Sequence, residues 1–357
     1  MTIIIIIVIL THCAEQPMRT NTMQAFTFKR YGKKPALGIE HVAIPTLKPD
    51  ELLVKVCAAS LNPIDNMIIS GTFKPVLRMT LPATLGSDLA GIVTAVGSGV
   101  TRFTPGDAVF ASIFDTGQGA LADFAVVPER LAALKPTNLS FVEAAALPMV
   151  SLTSWQALHE HARLQAGEKV FIPAGSGGIG SIAIQLAKAL GATVATTTST
   201  ENVDWVRQLG ADQVIDYKKQ SFDEVLRHYD LVLGLLRGDA LEKSLAILRP
   251  GGKIISLVGP LDVAFARKRR LNRVLTALFW LMSRKIKRLA RRQGIDYRFL
   301  FVQPDGEQLK HIAQRVEAGQ LRPVIDRVLP FTQSAQGLAW LAQGRAKGKV
   351  VIDLETP

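Results

Sequence analysis

The amino-acid sequence predicts an α/β fold with two parts, a small irregular β-barrel and a doubly wound parallel sheet. Short apolar segments separated by Gly, Pro and Asp fill the first half of the chain, which is typical of antiparallel β structure. After Leu147, strand-like and helix-like segments alternate, as they do in a parallel sheet covered by helices. A glycine-rich turn, 174–180, lies within that alternation. We expect a cleft where the two parts meet.

The β-rich part begins with MQAFTFKRYG, a predicted strand that Met23 opens. Four further segments have the length and apolar content of strands, and turn residues bound each of them. They are ELLVKVCAAS at 51–60, DLAGIVTAVG at 88–97, DAVFAS at 107–112 and ALADFAVVPE at 120–129. Strands of this number and shortness favour a small barrel.

The parallel sheet is predicted from the order of the segments that follow Leu147. These are a helix at 152–163, a strand at 170–173, a helix that ends before Gly191, a strand at 193–198, a helix near 202–209, strands at 212–216 and 230–236, a helix at 239–248 and a strand at 253–258. YRFLFV at 297–302 supplies the final strand, and the mixed tail returns to the first part. The predicted domains are 23–149 with 303–357, and 150–302.

The turn AGSGGIG, 174–180, has the context of a dinucleotide-binding fingerprint. Glycines there let backbone N–H groups approach a pyrophosphate at a helix N-terminus, where the helix dipole favours negative charge. Ala174 stands in the place of the fingerprint's first glycine. Because a strand, a helix and a second strand surround the turn, cofactor binding is favoured over a purely structural turn. The expected binding residues are Ala174, Gly175, Ser176, Gly177, Gly178, Ile179 and Gly180.

The end of the second strand favours NADPH over NADH. A carboxylate at this position normally binds the ribose 2′-hydroxyl of NAD, and it would repel a 2′-phosphate. The chain instead has Thr198, Ser199 and Thr200, whose hydroxyls can donate to a phosphate. Glu201 and Asn202 follow, and no Lys or Arg adjoins this strand end in the sequence.

Composition and charge limit the class of protein. The 357 residues suffice for about two domains, and 48% hydrophobic residues allow a sizeable core. Two cysteines, Cys13 and Cys57, are too few for a disulfide framework and fit a reducing compartment, so a cytoplasmic protein is predicted. The net charge of +12 is local, since 267–292 holds 11 of the 42 Lys and Arg residues and no acid. A general nucleic-acid-binding surface is therefore not expected.

The basic segment 267–292 is predicted to form an amphipathic helix or a pair of helices. Its apolar residues recur at helical spacing, and they are Leu271, Val274, Leu275, Leu278, Leu281, Met282, Ile286 and Leu289. Two interpretations remain open. The favoured one is that the apolar stripe packs on the protein itself, and the other is a weak peripheral contact with an anionic membrane.

The N-terminal residues 1–22 are expected to be an extension outside the fold. MTIIIIIVIL contains eight consecutive apolar residues, which are too few to span a bilayer. No Lys or Arg precedes them, as the first part of a secretory signal would require. An export or anchoring signal is the alternative.

An ordered set of motifs resembles one known family. The motifs are LNPIDN, LGSDLAGIVTAVGSGVTRFTPGDAVF, AALP, LTSWQAL, AGSGGIG, LGADQVIDY, LRPGGKIISLVG and GRAKGKVVI. Over about 23–357 the chain resembles zinc-independent medium-chain dehydrogenases/reductases, and among these the quinone oxidoreductases and alkenal/one oxidoreductases, which use NADPH. The resemblance implies a GroES-like β-barrel catalytic domain, a Rossmann domain and a homodimer paired through the last Rossmann strand.

The resemblance also implies that no metal takes part. Zinc alcohol dehydrogenases hold the catalytic zinc with Cys, with His beside a Glu, and with a second Cys. This chain has Asn62, Ser87 and Met149 at those positions, which is not a sound zinc site. Without a Lewis acid, alcohol oxidation lacks a means of ionising the hydroxyl. Hydride transfer to a quinone or to a C=C bond conjugated to a carbonyl needs no such acid.

The family pattern implies further site residues. Asn62 and Asp65 would lie near the nicotinamide and the substrate, and Thr153 would face the nicotinamide ring. The residues expected near the adenosine phosphate are Thr198, Ser199, Thr200, Asn202 and Tyr217. A structural interpretation stands beside each, because Asn62 and Asp65 can cap a helix and Tyr217 can close a strand.

The predicted function is NADPH-dependent hydride transfer to a quinone or an α,β-unsaturated carbonyl. The alternative is a non-catalytic relative that binds a membrane or a partner through its basic helix.

Overall fold

The computed structural model describes residues 22–32, 35–77 and 79–356. The predicted N-terminal extension therefore lies outside the described residues, except for Thr22, which begins the first strand.

The first part of the chain is built from short strands around one long central strand. The strands are β1 (Thr22–Phe28), β2 (Leu37–Ala43), β3 (Glu51–Leu61), β4 (Ala83–Thr84), β5 (Asp88–Val96), β6 (Ala108–Ser112), β7 (Phe124–Pro128) and β8 (Ala132–Leu134). β1 pairs with β2 and β4 in a three-stranded sheet. β3 pairs with β5 and β7, and its residues are buried except for Lys55.

The second part is a parallel sheet with the predicted doubly wound topology. Its strands are β9 (Lys169–Ile172), β10 (Thr193–Thr198), β11 (Gln213–Asp216), β12 (Tyr229–Gly234), β13 (Leu248–Ser256) and β14 (Asp296–Phe299). Their order in the sheet is β11-β10-β9-β12-β13-β14. The chain thus reverses its direction of travel between β9 and β12, and ligands of such sheets bind at the carboxyl ends of the strands beside that point.

The helices connect and cover these sheets. They are α1 (Pro63–Ile69), α2 (Phe141–Ala145), α3 (Pro148–Trp155), α4 (Gly178–Ala189), α5 (Val203–Gln208), α6 (Phe222–Val225), α7 (Ala240–Ile247), α8 (Val263–Lys268), α9 (Arg273–Arg292), α10 (Gly306–Glu317) and α11 (Ser334–Ala342). The helix predicted at 152–163 begins earlier, at Pro148, because proline's fixed φ suits the first helical position. It continues as a π-helical turn over 156–161.

The C-terminal tail adds two strands to the first part. β15 (Ile325–Pro330) and β16 (Lys349–Asp353) extend a seven-stranded sheet of order β15-β16-β3-β5-β6-β8, with β7 also paired to β3. Among the described residues this sheet does not close on itself. The predicted β-barrel is therefore built from this seven-stranded sheet and the three-stranded sheet of β1, β2 and β4. A bridge between Gly348 and Gly177 brings the start of β16 to the glycine-rich turn.

The basic segment 267–292, predicted to form one helix or a pair, contains the last two residues of α8 and the whole of α9. Asp262 and Asn272 cap their N-termini by accepting backbone N–H groups. One face of α9 is buried, and its buried residues are Phe279, Ser283, Ile286 and Ala290. The opposite face is exposed and carries both apolar and basic side chains. No helix in the described ranges is long and apolar enough to cross a bilayer.

Candidate active site

A cleft of about 850 Å³ lies between the β-rich part and the parallel sheet. Its walls are mainly apolar, and they include Leu61, Ile64, Phe73, Val76, Phe114, Leu275, Phe279, Phe299 and Phe301. Few polar side chains enter it, among them Asn62, Thr153 and Lys349. A large apolar cavity with a few convergent polar groups is the usual form of a small-molecule site.

Two glycines of the turn let helix α4 pack closely on the sheet. A Cβ atom on Gly180 would lie 2.3 Å from the carbonyl oxygen of Ala174, and one on Gly175 would lie 2.3 Å from Thr196 Oγ1. Ala174 itself adopts a φ of 54°, the left-handed conformation that glycine usually supplies. Gly175 and Ser176 do not line the cleft, and the Ser176 carbonyl accepts a hydrogen bond from the N–H of Gly348.

Gly177 has a different environment from these packing glycines. It caps the N-terminus of α4, and a Cβ atom there would meet only the Ala174 carbonyl oxygen, at 3.4 Å. Gly177, Gly178, Ile179 and Gly180 all line the cleft. The space in front of Gly177 is therefore a cradle that a side chain would fill, at the end of a 12-residue helix whose dipole favours an anion. A pyrophosphate fits this position.

Asn62 is held at the cleft by two charged side chains. Its Nδ2 donates to Asp88 Oδ2 at 2.9 Å, and its Oδ1 accepts from Lys349 Nζ at 2.5 Å. Lys349 Nζ is also 3.4 Å from Asp88 Oδ2. These three side chains, which we call the Asn–Asp–Lys cluster, are all buried. Because opposite ends of the amide face opposite charges, the amide has one preferred orientation.

Asp88 accepts two further hydrogen bonds from groups outside the cluster. Its Oδ1 accepts from the backbone N–H of Met149 at 3.1 Å, and its Oδ2 accepts from Ser60 Oγ at 3.3 Å. Burial lowers the pKa of Lys349, while the carboxylates of Asp88 and Asp65 act in the opposite direction. The Nζ of Lys349 therefore lies at one end of the cleft with a carboxylate and an amide oxygen as partners.

Asp65 does not line the cleft, although the family pattern placed it there. It is buried behind Asn62, where its Oδ2 accepts from the Asn62 backbone N–H at 2.7 Å and its Oδ1 accepts from Ser87 Oγ at 3.3 Å. Burial raises the pKa of Asp65 to about 7, although the hydrogen bond from Asn62 opposes that shift. Asp65 therefore caps α1 and positions Asn62, as the structural interpretation supposed.

Thr153 lies on the cleft wall, as expected, and is buried. Its Oγ1 donates to the carbonyl oxygen of Met149 at 2.6 Å. Because the Thr153 hydroxyl donates its proton to the Met149 carbonyl, its oxygen can only accept a hydrogen bond from a ligand.

The residues expected around the adenosine phosphate come together at the carboxyl ends of β10 and β11. Thr198 Oγ1 is buried and has no hydrogen-bond partner within the described part of the chain. Ser199 Oγ accepts from Asn202 Nδ2 at 2.9 Å. The backbone N–H of Tyr217 donates to the carbonyl of Thr198, while the Tyr217 side chain is 60% exposed. Thr200 Oγ1 donates to Asp216 Oδ2 at 2.7 Å, so its proton is already used. The exposed Tyr217 ring is therefore the group at this edge that a ligand can reach directly.

Two lysines at this edge were missed from the sequence. Lys218 and Lys219 follow β11, and their Nζ atoms lie 3.0 Å from Glu201 Oε2 and 3.5 Å from Asp216 Oδ2. The expected residues included Tyr217, directly before this pair, but neither lysine. Because the carboxyl ends of parallel strands share one edge, the lysine pair after the next strand was the available signal.

The amino-acid sequence is similar to those of known oxidoreductases. Residues 48–137 match the family described as alcohol dehydrogenase GroES-like domain, and residues 209–352 match the zinc-binding dehydrogenase family. The chain is 34% identical to a mouse protein named NAD(P)H oxidoreductase RTN4IP1, mitochondrial, over 94% of this chain and 90% of that protein. The chain belongs to the medium-chain dehydrogenase/reductase superfamily. It is an oxidoreductase that uses a nicotinamide cofactor.

Two further relatives of this medium-chain dehydrogenase/reductase are informative. An Arabidopsis thaliana protein named NADPH-dependent alkenal/one oxidoreductase, chloroplastic, is 33% identical over 92% of this chain and 79% of its own length. The solved quinone oxidoreductase from Coxiella burnetii is 30% identical, with a TM-score of 0.81, over 93% of this chain and 99% of that one. The family and fold implied by the sequence motifs are confirmed.

The positions that hold zinc in related alcohol dehydrogenases have a different chemistry in this medium-chain dehydrogenase/reductase. Asn62 Oδ1 already accepts from the Lys349 ammonium, Ser87 Oγ donates to Asp65, and Met149 is buried at the cleft wall. In the described ranges there is no group of three or more His, Cys, Asp or Glu side chains that could hold a metal ion. Metal independence stays a prediction.

Asp65→Asn is expected to flatten the pH dependence of stability between about pH 4 and pH 7. Because burial raises the pKa of Asp65 to about 7, the folded chain keeps a proton that the unfolded chain loses near pH 4. The protonated carboxyl stabilises the fold fully below pH 4, and this contribution falls by up to about 1.4 kcal/mol per pH unit up to pH 7. The difference in free energy of unfolding between wild type and the variant should therefore be smaller at pH 7.5 than at pH 4.5.

Urea unfolding midpoints at the two pH values measure this difference. Asp204→Asn is the matched control, because the Asp204 side chain is 93% exposed. Equal losses of stability at both pH values in Asp65→Asn would contradict the assignment of this titration to Asp65.

Proposed function

We propose that this medium-chain dehydrogenase/reductase is an NADPH-dependent reductase of quinones or α,β-unsaturated carbonyls that works without zinc. The observation that carries the proposal is the cleft itself, which joins the cradle at Gly177 to the Asn–Asp–Lys cluster through mainly apolar walls. The relatives from Arabidopsis thaliana and Coxiella burnetii are named as an alkenal/one oxidoreductase and a quinone oxidoreductase, which supports both acceptor classes.

NADPH is proposed as the cofactor because of the groups at the ends of β10 and β11. When bound, it supplies a hydride from its nicotinamide ring. Gly177 and Gly178 would hold the pyrophosphate, and Ser199 and Lys218 would hold the 2′-phosphate, since the Thr200 hydroxyl already donates to Asp216. Glu201 is the one acidic residue in the sequence 198–202, and its ion pair with Lys218 offsets its charge.

The residues of the cleft would bind and polarise the acceptor. Apolar walls suit a quinone ring or an alkenal chain, and they keep water away from the acceptor. A carbonyl oxygen gains negative charge when hydride adds to the conjugated system. The Asn–Asp–Lys cluster would stabilise that charge, since Lys349 has three N–H donors and only two partners are described for them.

Zinc is unnecessary in this scheme because the acceptor carries its own activating carbonyl. At the positions of the zinc ligands, an amide, a hydroxyl and a thioether replace two thiolates and an imidazole, and a buried ammonium beside Asn62 opposes a second cation.

A panel of acceptors tests the proposal directly. Consumption of NADPH, followed by absorbance, should be rapid with quinones, alkenals or enones, and unchanged after exhaustive chelation. Activity confined to alcohol oxidation, with stoichiometric zinc whose removal abolishes it, would refute the proposal.

Three further assignments follow the family and stay proposals. We assign 23–149 with 303–357 to the GroES-like catalytic domain and 150–302 to the Rossmann domain. A homodimer paired through β14 fits the position of that strand at the end of the described sheet order. A cytoplasmic location also stays a prediction.

Ser199→Asp is expected to weaken the use of NADPH while sparing NADH. A carboxylate at this strand end would repel the 2′-phosphate, because like charges brought together at a binding interface disfavour binding. We expect kcat/KM for NADPH to fall about 10–100-fold. Ser199→Asn is the matched control, because it has nearly the same shape as aspartate and no charge. Equal losses for the two cofactors, or for the two variants, would count against a 2′-phosphate site here.

A further inference from the structure

Helix α9 exposes several large apolar side chains on the face that does not pack against the protein. Val274 is 77% exposed, Leu281 59% and Trp280 55%, and Leu278 and Met282 are also exposed. They cluster in the first half of the helix, 274–282. The apolar stripe of α9 is therefore only partly buried, which differs from the favoured expectation. Contiguous exposed apolar surface of this kind marks an interaction site.

This exposed patch is continuous with the cleft. Leu278 and Met282 are exposed to solvent and also line the cavity, together with Leu275 and Phe279 from the same helix. Val274, Trp280 and Leu281 do not line it. The patch 274–282 thus forms a rim, because Leu278 and Met282 belong both to the exposed surface and to the lining of the proposed substrate site.

The second half of α9 adds positive charge to the rim. Arg284, Lys285, Arg288, Arg291 and Arg292 are exposed, and 267–292 contains no acidic residue. Lys285 pairs with Glu242, and Arg284 stacks over Trp280. By contrast, Arg269 and Lys287 are bound to Asp115 and Asp262 on the protein body. The outward charge is therefore concentrated beside the apolar patch.

The charge decides between possible occupants of this surface. A symmetric contact between two copies of the chain would place basic residues against basic residues, which is unfavourable. An anionic phospholipid surface complements both halves of the helix. Its headgroups attract arginine and lysine, while Trp and Leu side chains enter the boundary between headgroups and acyl chains.

We propose that α9 docks the protein on anionic phospholipid bilayers and turns the mouth of the cleft toward the bilayer. A hydride acceptor with a long apolar tail would then enter the cleft from the membrane without crossing water. The docking itself is independent of catalysis, whereas the entry of such an acceptor rests on the proposed function.

Vesicle flotation of the full chain, without cofactor or acceptor, tests the docking. Wild type should bind vesicles of phosphatidylcholine with phosphatidylglycerol, should bind poorly to phosphatidylcholine alone, and should dissociate as salt rises. Val274→Gln/Trp280→Gln/Leu281→Gln should abolish binding. Arg288→Gln/Arg292→Gln should weaken partitioning about 25-fold, because each basic residue near an anionic surface contributes about fivefold.

Matched controls keep the result specific to α9. Leu134→Gln/Val225→Gln removes exposed apolar side chains elsewhere, and Arg207→Gln/Lys310→Gln removes the same charge from other exposed helices. Both controls should bind like wild type. Every variant keeps residues 1–21, so differences among them report on α9. Vesicle binding that is absent, or equal in all variants, would overturn the proposal.

Activity and oligomeric state separate this inference from the proposed function. With a water-soluble quinone, the α9 variants should match wild type, since their substituted residues lie outside the cleft lining. With a long-tailed quinone embedded in anionic vesicles, they should lose at least about tenfold in rate. No activity with any acceptor would refute the proposed function alone. A lipid-free dimer that the apolar variant dissociates would show that a second copy covers this face, and would overturn the docking.

Discussion

Gly177→Val is expected to abolish NADPH binding while leaving the protein folded. The Gly177 backbone has a φ of −81° and a ψ of 171°, an extended conformation that valine readily adopts. A Cβ atom there meets only one protein atom, at 3.4 Å, so the larger side chain fills the cradle in front of α4. The pyrophosphate could no longer approach the backbone N–H groups. We expect the Kd for NADPH to rise at least about 100-fold, which is about 2.7 kcal/mol.

Titration of NADPH fluorescence and a thermal melt measure the two effects separately. Gly38→Val is the matched control, because a Cβ on Gly38 meets nothing within 4 Å and Gly38 lies in β2, away from the cleft. Gly180→Ala should show the opposite pattern, since its Cβ would lie 2.3 Å from the Ala174 carbonyl and destabilise the turn itself. Wild-type affinity in a folded Gly177→Val protein would refute the cradle.

The glycine turn was predictable from the sequence because its signal is local. The strand, the turn and the helix adjoin one another, and this context distinguishes the arrangement from a glycine-rich turn in an unrelated protein. The same holds for β10, whose predicted bounds, 193–198, are those of the structure. Local sequence did not reveal that Gly175 and Gly180 serve close packing while Gly177 faces open space. That division depends on where Thr196 and Ala174 lie in the folded chain.

Asp88 and Lys349, which were not predicted as site residues, lie far apart in the sequence and meet only in the folded protein. Lys349 and Asn62 are separated by 287 positions, yet their side chains are in hydrogen-bond contact. GSDLAG and GKVVI were noted as family motifs, but nothing in a single sequence shows that Asp88 and Lys349 meet there. Strand pairing brings them together, because β3 pairs with both β5 and β16. Lys218 lies only 17 positions from Glu201, and the pairing of β10 with β11 brings the two side chains together.

Helix α9 shows the limit of periodicity in another way. Its spacing predicted an amphipathic helix, and the structure contains one, but periodicity cannot say how far the apolar residues are covered. Phe279 and Ile286 are buried, whereas Val274 and Leu281, which are equally apolar, are exposed. The difference comes from tertiary packing, since the protein body covers only one face of α9.

Lys349→Met is expected to destabilise the protein by about 3 kcal/mol. The substitution leaves the Asp88 carboxylate buried without its ammonium partner, and removing one partner of a buried ion pair typically costs about 3–5 kcal/mol. The lower end is expected because Asn62, Ser60 and the Met149 backbone still donate to Asp88. Urea unfolding at pH 7.5 measures the loss, and steady-state kinetics should show a lower kcat with an unchanged Kd for NADPH.

The double variant Lys349→Met/Asp88→Asn separates the ion pair from simple packing. Removing both charges takes away the uncompensated carboxylate, so the double variant should be more stable than the sum of the two single losses by at least about 1 kcal/mol. Strict additivity would mean that the 3.4 Å approach of Lys349 Nζ to Asp88 contributes nothing. If stability recovers while kcat stays low, the ammonium acts on the acceptor as well as on the fold, because two neutral side chains can restore packing but cannot supply positive potential at the end of the cleft.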